Sequence, residues 1–236
     1  MKISILNIDW ASKYKSKTHI NSIIEALSKT ASDIIIVTES LQSLILPGYK
    51  HIYQTNFLPD NFIYEGLNYT DYLKGERAVR VAIYSKYKAT ASYEVSDEYT
   101  SICKAFETNK GPITIYATII GTQFTKKPYA KNELNNCIAD CIRISELTDI
   151  LCLAGDLNTS FIATEKEYEM PGIKSRQSLL ALCETCGFDL TTGKIAQNID
   201  HILLPKQMTI DYKVHSESFI GKNILSDHMG VFVEIK

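Results

Sequence analysis

Near-continuous apolar runs, rather than alternating ones, mark three stretches of this chain. ISILN (3–7), DIIIVTES (33–40) and DILCLAGDLN (149–158) carry β-branched and aliphatic residues with few polar breaks. That is the pattern of strands buried on both faces, as in parallel sheets. Between the first two runs, KTHINSIIEALSKT sets Ile20, Ile23, Ile24 and Leu27 at helical spacing, with Thr18 as its cap. Strand, amphipathic helix and buried strand together predict a parallel βαβ unit.

The middle of the chain reads differently. HIYQT, RVAIYSK, ATASYEV, SICKAFE and ITIYATII are short strand-like pieces, and Asn109, Lys110 and Gly111 make a hairpin turn between the last two. A second helix over 130–146 puts Leu134, Cys137, Ile138 and Cys141 on one face and leads into the GDLN run. A third, over 176–186, ends at Gly187 as C-cap. DHILLP, TIDYKV and GVFVEI close the chain as strands. With βα units at both ends, hairpins between them and no linker or repeat, one α/β domain over 1–236 is expected, built of two packed sheets with helices outside.

Composition narrows the function classes. A formal net charge of −2 lacks the basic footprint of a polyanion-coating protein, while leaving room for an enzyme with one basic groove. The six cysteines read as reduced thiols. Cys183 and Cys186 form a single C-x-x-C at the end of a helix, where thiolates are not activated, and no second pair completes a zinc site. MKISILNIDW is broken by Asn7 and Asp9 too early for a signal peptide. No apolar run approaches the roughly 20 residues that span a bilayer. A cytoplasmic location follows as the expectation, with no membrane insertion and no obligate protein partner.

Polar residues at strand ends change the picture most. Asn7 ends the first strand and Asp9 follows; Glu39 ends the second; Asp156 and Asn158 end LCLAGDLN; Asp200 opens DHILLP; Asp227 and His228 precede GVFVEI. Any one alone reads as a cap or an Asx turn. Together they place acids and amides where strands of an α/β sheet meet a ligand crevice. Clustered carboxylates need a cation, and oxygen ligands without a Cys/His set point to Mg²⁺ or Mn²⁺. Such a metal suits a phosphate substrate, and His228 adds a group that titrates near neutrality.

In order, LN-I-D, VTES, GDLN, IDHILL and SDH resemble the endonuclease/exonuclease/phosphatase superfamily, which includes exonuclease III, abasic-site endonucleases and deoxyribonuclease-I-like enzymes. The resemblance runs from Asn7 to the last strand; GDLN and SDH are its most specific parts. It implies a four-layer α/β sandwich and metal-dependent hydrolysis of a phosphoester, with DNA and RNA among the substrate classes. It further implies Glu39 as main metal ligand, with Asp227, Asp9 and Asn7 near the metal. Asp156 would activate water, Asn158 and Asn7 would contact phosphate, and Asp200 would pair with His228.

One position departs from the pattern. The resemblance implies a His or Tyr facing the phosphate from ITIYATIIGTQF, and Ile119 stands there; a slipped register would bring Tyr116, Thr118 or Gln123 instead. Two loops bear on substrate. Phe57, Phe62, Tyr64, Tyr69 and Tyr72 precede Lys74 and Arg77, and either stack bases or cover the core edge. Lys126, Lys127 and Lys131 either contact a phosphate backbone or form a solvated basic loop. A phosphodiesterase or nuclease is the first expectation. The alternatives are a phosphomonoesterase on a small metabolite and a binding protein that kept the fold.

Overall fold

The computed structural model describes residues 1–9, 16–57, 63–64, 67–68, 78–122 and 129–236. The chain opens with β1 (Lys2–Asn7), α1 (Lys17–Lys29) and β2 (Ile34–Leu41), followed by β3 (His51–Gln54) and a small hairpin of β4 (Ile63–Tyr64) and β5 (Leu67–Asn68). Next come β6 (Ala78–Ser85), β7 (Ala89–Tyr93), β8 (Ser101–Thr108), β9 (Gly111–Ile119), α2 (Tyr129–Ser145) and β10 (Leu151–Asp156). The last part holds α3 (Ser175–Cys186), β11 (Phe188–Asp189), β12 (Asp200–Pro205), α4 (Lys206–Asp211), β13 (Val214–Ile220) and β14 (Gly230–Ile235).

These strands build two mixed sheets, ordered β13-β14-β1-β2-β6-β3 and β11-β12-β10-β9-β8-β7. Parallel pairs occur where the sequence places βαβ units, β1 with β2 and β9 with β10; their neighbours run antiparallel. The near-continuous apolar runs have a direct cause. Ile34 and Ile36 of β2 point between the sheets, while Ile35 and Val37 point out against Ile23 and Leu27 of α1. In the other sheet Cys152 and Ala154 face the middle layer, and Leu151 and Leu153 face α2 and α3. Both faces of each central strand are covered, giving a four-layer α/β sandwich.

Two local expectations are corrected. The α1 cap is Ser16, whose Oγ accepts the His19 amide at 3.3 Å, and Thr18 lies inside the first turn. TIDYKV is not one strand: residues 206–211 form the short helix α4, anchored by buried Met208 and entered from Pro205 at φ −61°. The Thr209 hydroxyl donates to the Lys206 carbonyl, and ladder pairing starts only at Val214 opposite Ile235. Tertiary burial of one methionine outweighs the strand preference of the segment.

Gly187 caps α3 in the left-handed region, at φ 67°. All six cysteines are free, and Cys137, Cys141 and Cys183 pack in the layer between the helices and the second sheet. Burial pushes the Cys183 thiol up to about 12, which leaves it an inert packing group. Phe57 packs against the core beneath α1, while the side chain of Lys131 is exposed on α2. Phe62, Tyr69, Tyr72, Lys74, Arg77, Gln123, Lys126 and Lys127 lie outside the described residues, as does the side chain of Tyr64. Among the described residues, no helix is long and apolar enough to cross a membrane.

Candidate active site

Three strand-end residues of the second sheet lie in one row. Ile119 is the register partner of Asp156 across the parallel β9–β10 ladder, and Asp156 is the partner of Asp200 across the antiparallel β10–β12 ladder. Partners in a ladder share a face, so two carboxylates and one sec-butyl group emerge side by side. Gly155 makes this spacing possible. A Cβ at that position would meet the Thr118 carbonyl oxygen at 1.9 Å, so only glycine lets β10 approach β9 this closely.

Asn7 reaches the row from the other sheet. Its Nδ2 donates to Asp156 Oδ2 at 2.9 Å and lies 3.3 Å from Glu39 Oε1, while its Oδ1 accepts the Asp9 amide at 2.8 Å. Asn7 is thereby the polar tie between β1, β2 and β10. Asp9, Glu39 and Asn158 all have left-handed backbones, at φ 48°, 47° and 46°. Asn and Asp tolerate that region; Glu39 does so at a strand position where the β2–β6 ladder skips a pair. Strain of about 1–3 kcal/mol at such a residue persists only where its surroundings hold it.

On the far side of Asp156, His228 Nδ1 donates to Asp200 Oδ2 at 2.7 Å, and His228 Nε2 stands 3.9 Å from both Asp156 Oδ2 and Asp227 Oδ1. Ser226 orders this turn: its hydroxyl accepts the His228 amide and donates to Asp227 Oδ1, each at 3.2 Å. Asn158 turns its amide inward. The Asn158 backbone N–H donates to Asp156 Oδ1 at 2.9 Å, and its Nδ2 donates to the Ile120 carbonyl at 2.7 Å.

Charge is unevenly balanced here. Burial pushes Asp156 up to about 8, against the pull of His228, and Asp200 is also raised. Glu39 remains partly open to solvent, yet desolvation of its carboxyl, with Asp9 and Asp227 adding repulsion, takes it to about 7. Burial alone would depress His228, but Asp200, Asp156 and Asp227 outweigh it and push the imidazole up to about 10. Several acids thus share one imidazolium, and a buried oxygen of Asp200, Oδ1, has no hydrogen-bond partner. Such a donor set fits a hard divalent cation. Among the described residues, ligand-capable atoms of Asp156, Asp200 and His228 lie within 4.8 Å of one another. Nδ1 of this ring is held by Asp200.

Solved structures of several proteins share this arrangement of elements. A 3'-5' exonuclease from Neisseria meningitidis superposes with a TM-score of 0.70 at 14% identity, covering 100% of both chains. An endonuclease/exonuclease/phosphatase protein from Beutenbergia cavernae gives 0.69 at 13% identity, covering 100% of this chain and 71% of that one. A Neisseria 3' phosphatase bound to product DNA hairpin gives 0.71 at 13%, covering 100% and 99%. This chain has the endonuclease/exonuclease/phosphatase fold. No protein-family model and no curated protein matches by sequence.

The fold brings together Asn7, Glu39, Asp156, Asn158, Asp200 and His228 by direct contact, with Asp227 at the rim and Asp9 joined through its backbone amide. It leaves Ile119 in the row as a buried apolar residue of the inter-sheet core. The alternatives point elsewhere: Thr118 Oγ1 is 2.8 Å from Ser101 Oγ, and the Tyr116 hydroxyl donates to Asp140 on the outer face. Two further residues were not singled out from sequence. Ser226 stood within the quoted SDH motif. His201 followed Asp200, and its buried ring lies 3.0 Å from the Thr159 carbonyl through Nε2 and 3.1 Å from Thr192 Oγ1 through Nδ1. No spacing rule marks such a residue, because its Thr159 partner comes from the loop after β10.

Proposed function

We propose that this protein is a metal-dependent phosphoesterase of the endonuclease/exonuclease/phosphatase superfamily, hydrolysing a phosphodiester bond by attack of water. One observation carries the reading: Asn7, Asp156, His228 and Asp200 form a continuous hydrogen-bonded and charged network between the two sheets, beside Glu39.

Asp156 is the general base. Its carboxyl, near 8 before any cation is present, is poised close to neutral pH, where base catalysis is most effective. Asn7 orients that carboxylate through Nδ2. His228, kept protonated by Asp200, directs Nε2–H toward the phosphate and stabilises charge that develops there. Glu39 and Asp227, with Asp9 and Asn7 beside them, would hold a Mg²⁺ or Mn²⁺, which would supply Lewis acidity and neutralise phosphate charge. Ile119 offers no hydrogen bond, so His228 and Asn7 bear more of the phosphate contact.

A phosphomonoester substrate is the second reading, supported by the Neisseria 3' phosphatase among the structural neighbours. The test is hydrolysis of abasic, duplex and single-stranded DNA, RNA and small phosphomonoesters with Mg²⁺ or Mn²⁺. Asp156→Asn and His228→Ala are expected to lose about 10²–10⁴-fold in kcat. If the unsubstituted protein released no more product than these variants on every substrate, only the binding-protein alternative would stand.

A further inference from the structure

Lys222 lies in the loop between β13 and β14, and its Nζ sits 4.5 Å from the centre of the Tyr168 ring. Tyr168 ends a single 3₁₀ turn, Lys166–Tyr168, and its carbonyl accepts the Ser160 amide at 2.7 Å. Ser160 follows Asn158 closely, so this contact joins a loop of the first sheet to the segment leaving the catalytic end of β10. The positive charge of Lys222 acts on Asp200, yet it is not among the main influences on Glu39, Asp156 or His228. The amide of the next residue, Asn223, donates to the Ser226 carbonyl at 2.8 Å, so Lys222 adjoins the turn that carries Asp227 and His228.

Availability separates this cation from its neighbour. The Arg176 guanidinium is committed to the Ser160 and Glu165 carbonyls and to Glu169. Among the described residues, the Lys222 ammonium makes no hydrogen bond or ion pair; it only rests on the ring. Three strong donors beside an aromatic face, next to an acidic site, suit a ligand unit that has both an anionic oxygen and a flat π surface. A nucleotide has both. Inositol phosphates and phospholipid headgroups lack the flat ring.

We propose that Lys222 and Tyr168 form a subsite for the nucleotide flanking the reacting phosphate, with Lys222 taking the adjacent phosphate and Tyr168 stacking on the base. This rests on the phosphoesterase reading and adds a substrate class, a single-stranded nucleic-acid segment, and a specificity-determining pair.

The test measures binding rather than turnover. Asp156→Asn protein is titrated with a short fluorescent single-stranded DNA by anisotropy over a range of salt. Adding Lys222→Gln is expected to raise Kd about tenfold and to lower the slope of log K against log salt by about 0.7, the value for one lost phosphate contact on a single strand. Lys222→Arg keeps the slope. Tyr168→Ala raises Kd about tenfold with the slope unchanged, as for loss of one stacked base. Lys50→Gln, just before β3 at the opposite edge of the first sheet, changes neither. The subsite is overturned if the DNA does not bind, if Lys222→Gln leaves the slope intact, or if Lys50→Gln lowers it equally. Hydrolysis of bis(p-nitrophenyl) phosphate by the unsubstituted protein is measured alongside. Turnover of that compound without DNA binding removes the subsite alone. DNA binding with the expected slopes but no turnover of any phosphate removes the catalytic reading alone.

Discussion

Asp156 and Asp200 are direct partners across the β10–β12 ladder, and the imidazole of His228 is the positive group placed against both. Like charges on adjacent strands destabilise a sheet unless something intervenes. Here the histidine is held charged by the two acids it separates.

Removing Asp200 is therefore expected to act through His228. In Asp200→Asn the imidazole loses its largest source of positive stabilisation, and its pKa falls from about 10 toward its ordinary 6.5. The ring then becomes neutral as pH rises through neutrality, whereas in the unsubstituted protein it stays charged there. Activity of the variant is expected to drop about 10²-fold at pH 8 and to recover partly at pH 6. An NMR titration of His228 checks the cause; an unchanged pKa would refute it.

Metal and pH are linked through the raised acids. Glu39, at about 7 against an ordinary 4.5, and Asp156, at about 8 against 3.8, bind protons more tightly folded than unfolded. Their stabilising contribution is complete below the unfolded values and is lost as pH rises through the folded ones. Without divalent metal, Tm is expected to fall between pH 6 and pH 8.5. Saturating Mg²⁺ should restore about 5 °C at the upper end, and Glu39→Gln should abolish most of that gain while raising the metal-free Tm. Differential scanning calorimetry reads both.

His201 gives the opposite sign. Its burial among Thr159, Thr192 and Asn198 depresses the imidazole to about 4, so the unfolded chain binds the proton first as pH falls. Stability from this group is full above 6.5 and is lost between 6.5 and 4, roughly 3 kcal/mol in all. Urea melts of the unsubstituted protein and His201→Gln should converge by about that amount over the window. Parallel curves would show that the ring is not held neutral.

Gly155→Ala tests the close approach of β9 and β10. With 1.9 Å between its Cβ and the Thr118 carbonyl oxygen, one strand must shift, and the row of Ile119, Asp156 and Asp200 shifts with it. The expected cost is about 3 kcal/mol or more, seen as a lower urea midpoint with an unchanged m-value.

Much of the layout was readable from pattern. Ile34 through Val37, without a polar break, announced a strand buried on both faces, and the helical spacing of Ile23 and Leu27 announced its cover. TIDYKV was misread because its β-branched residues say nothing about Met208, whose burial draws the first half into α4. The site was legible as a set of polar strand ends, and the Asp200–His228 pair followed from a resemblance rather than from spacing. His201 and Lys222 gave no comparable signal, since Thr159 and Tyr168 come from other loops, whereas Ser226 acts locally on the Asp227 and His228 beside it.

By itself, the sequence determined which segments are buried strands, which helices cover them and where polar groups interrupt the apolar runs, because these depend on local periodicity. Only the tertiary structure decided that Asn7 meets Asp156 across the two sheets, that Ile119 occupies the place beside it, and that His228 sits between two acids. Those relations join residues more than a hundred positions apart in the first case. They depend on ladder register and sheet packing, and a shift of one residue in either would turn the same side chains to the opposite face.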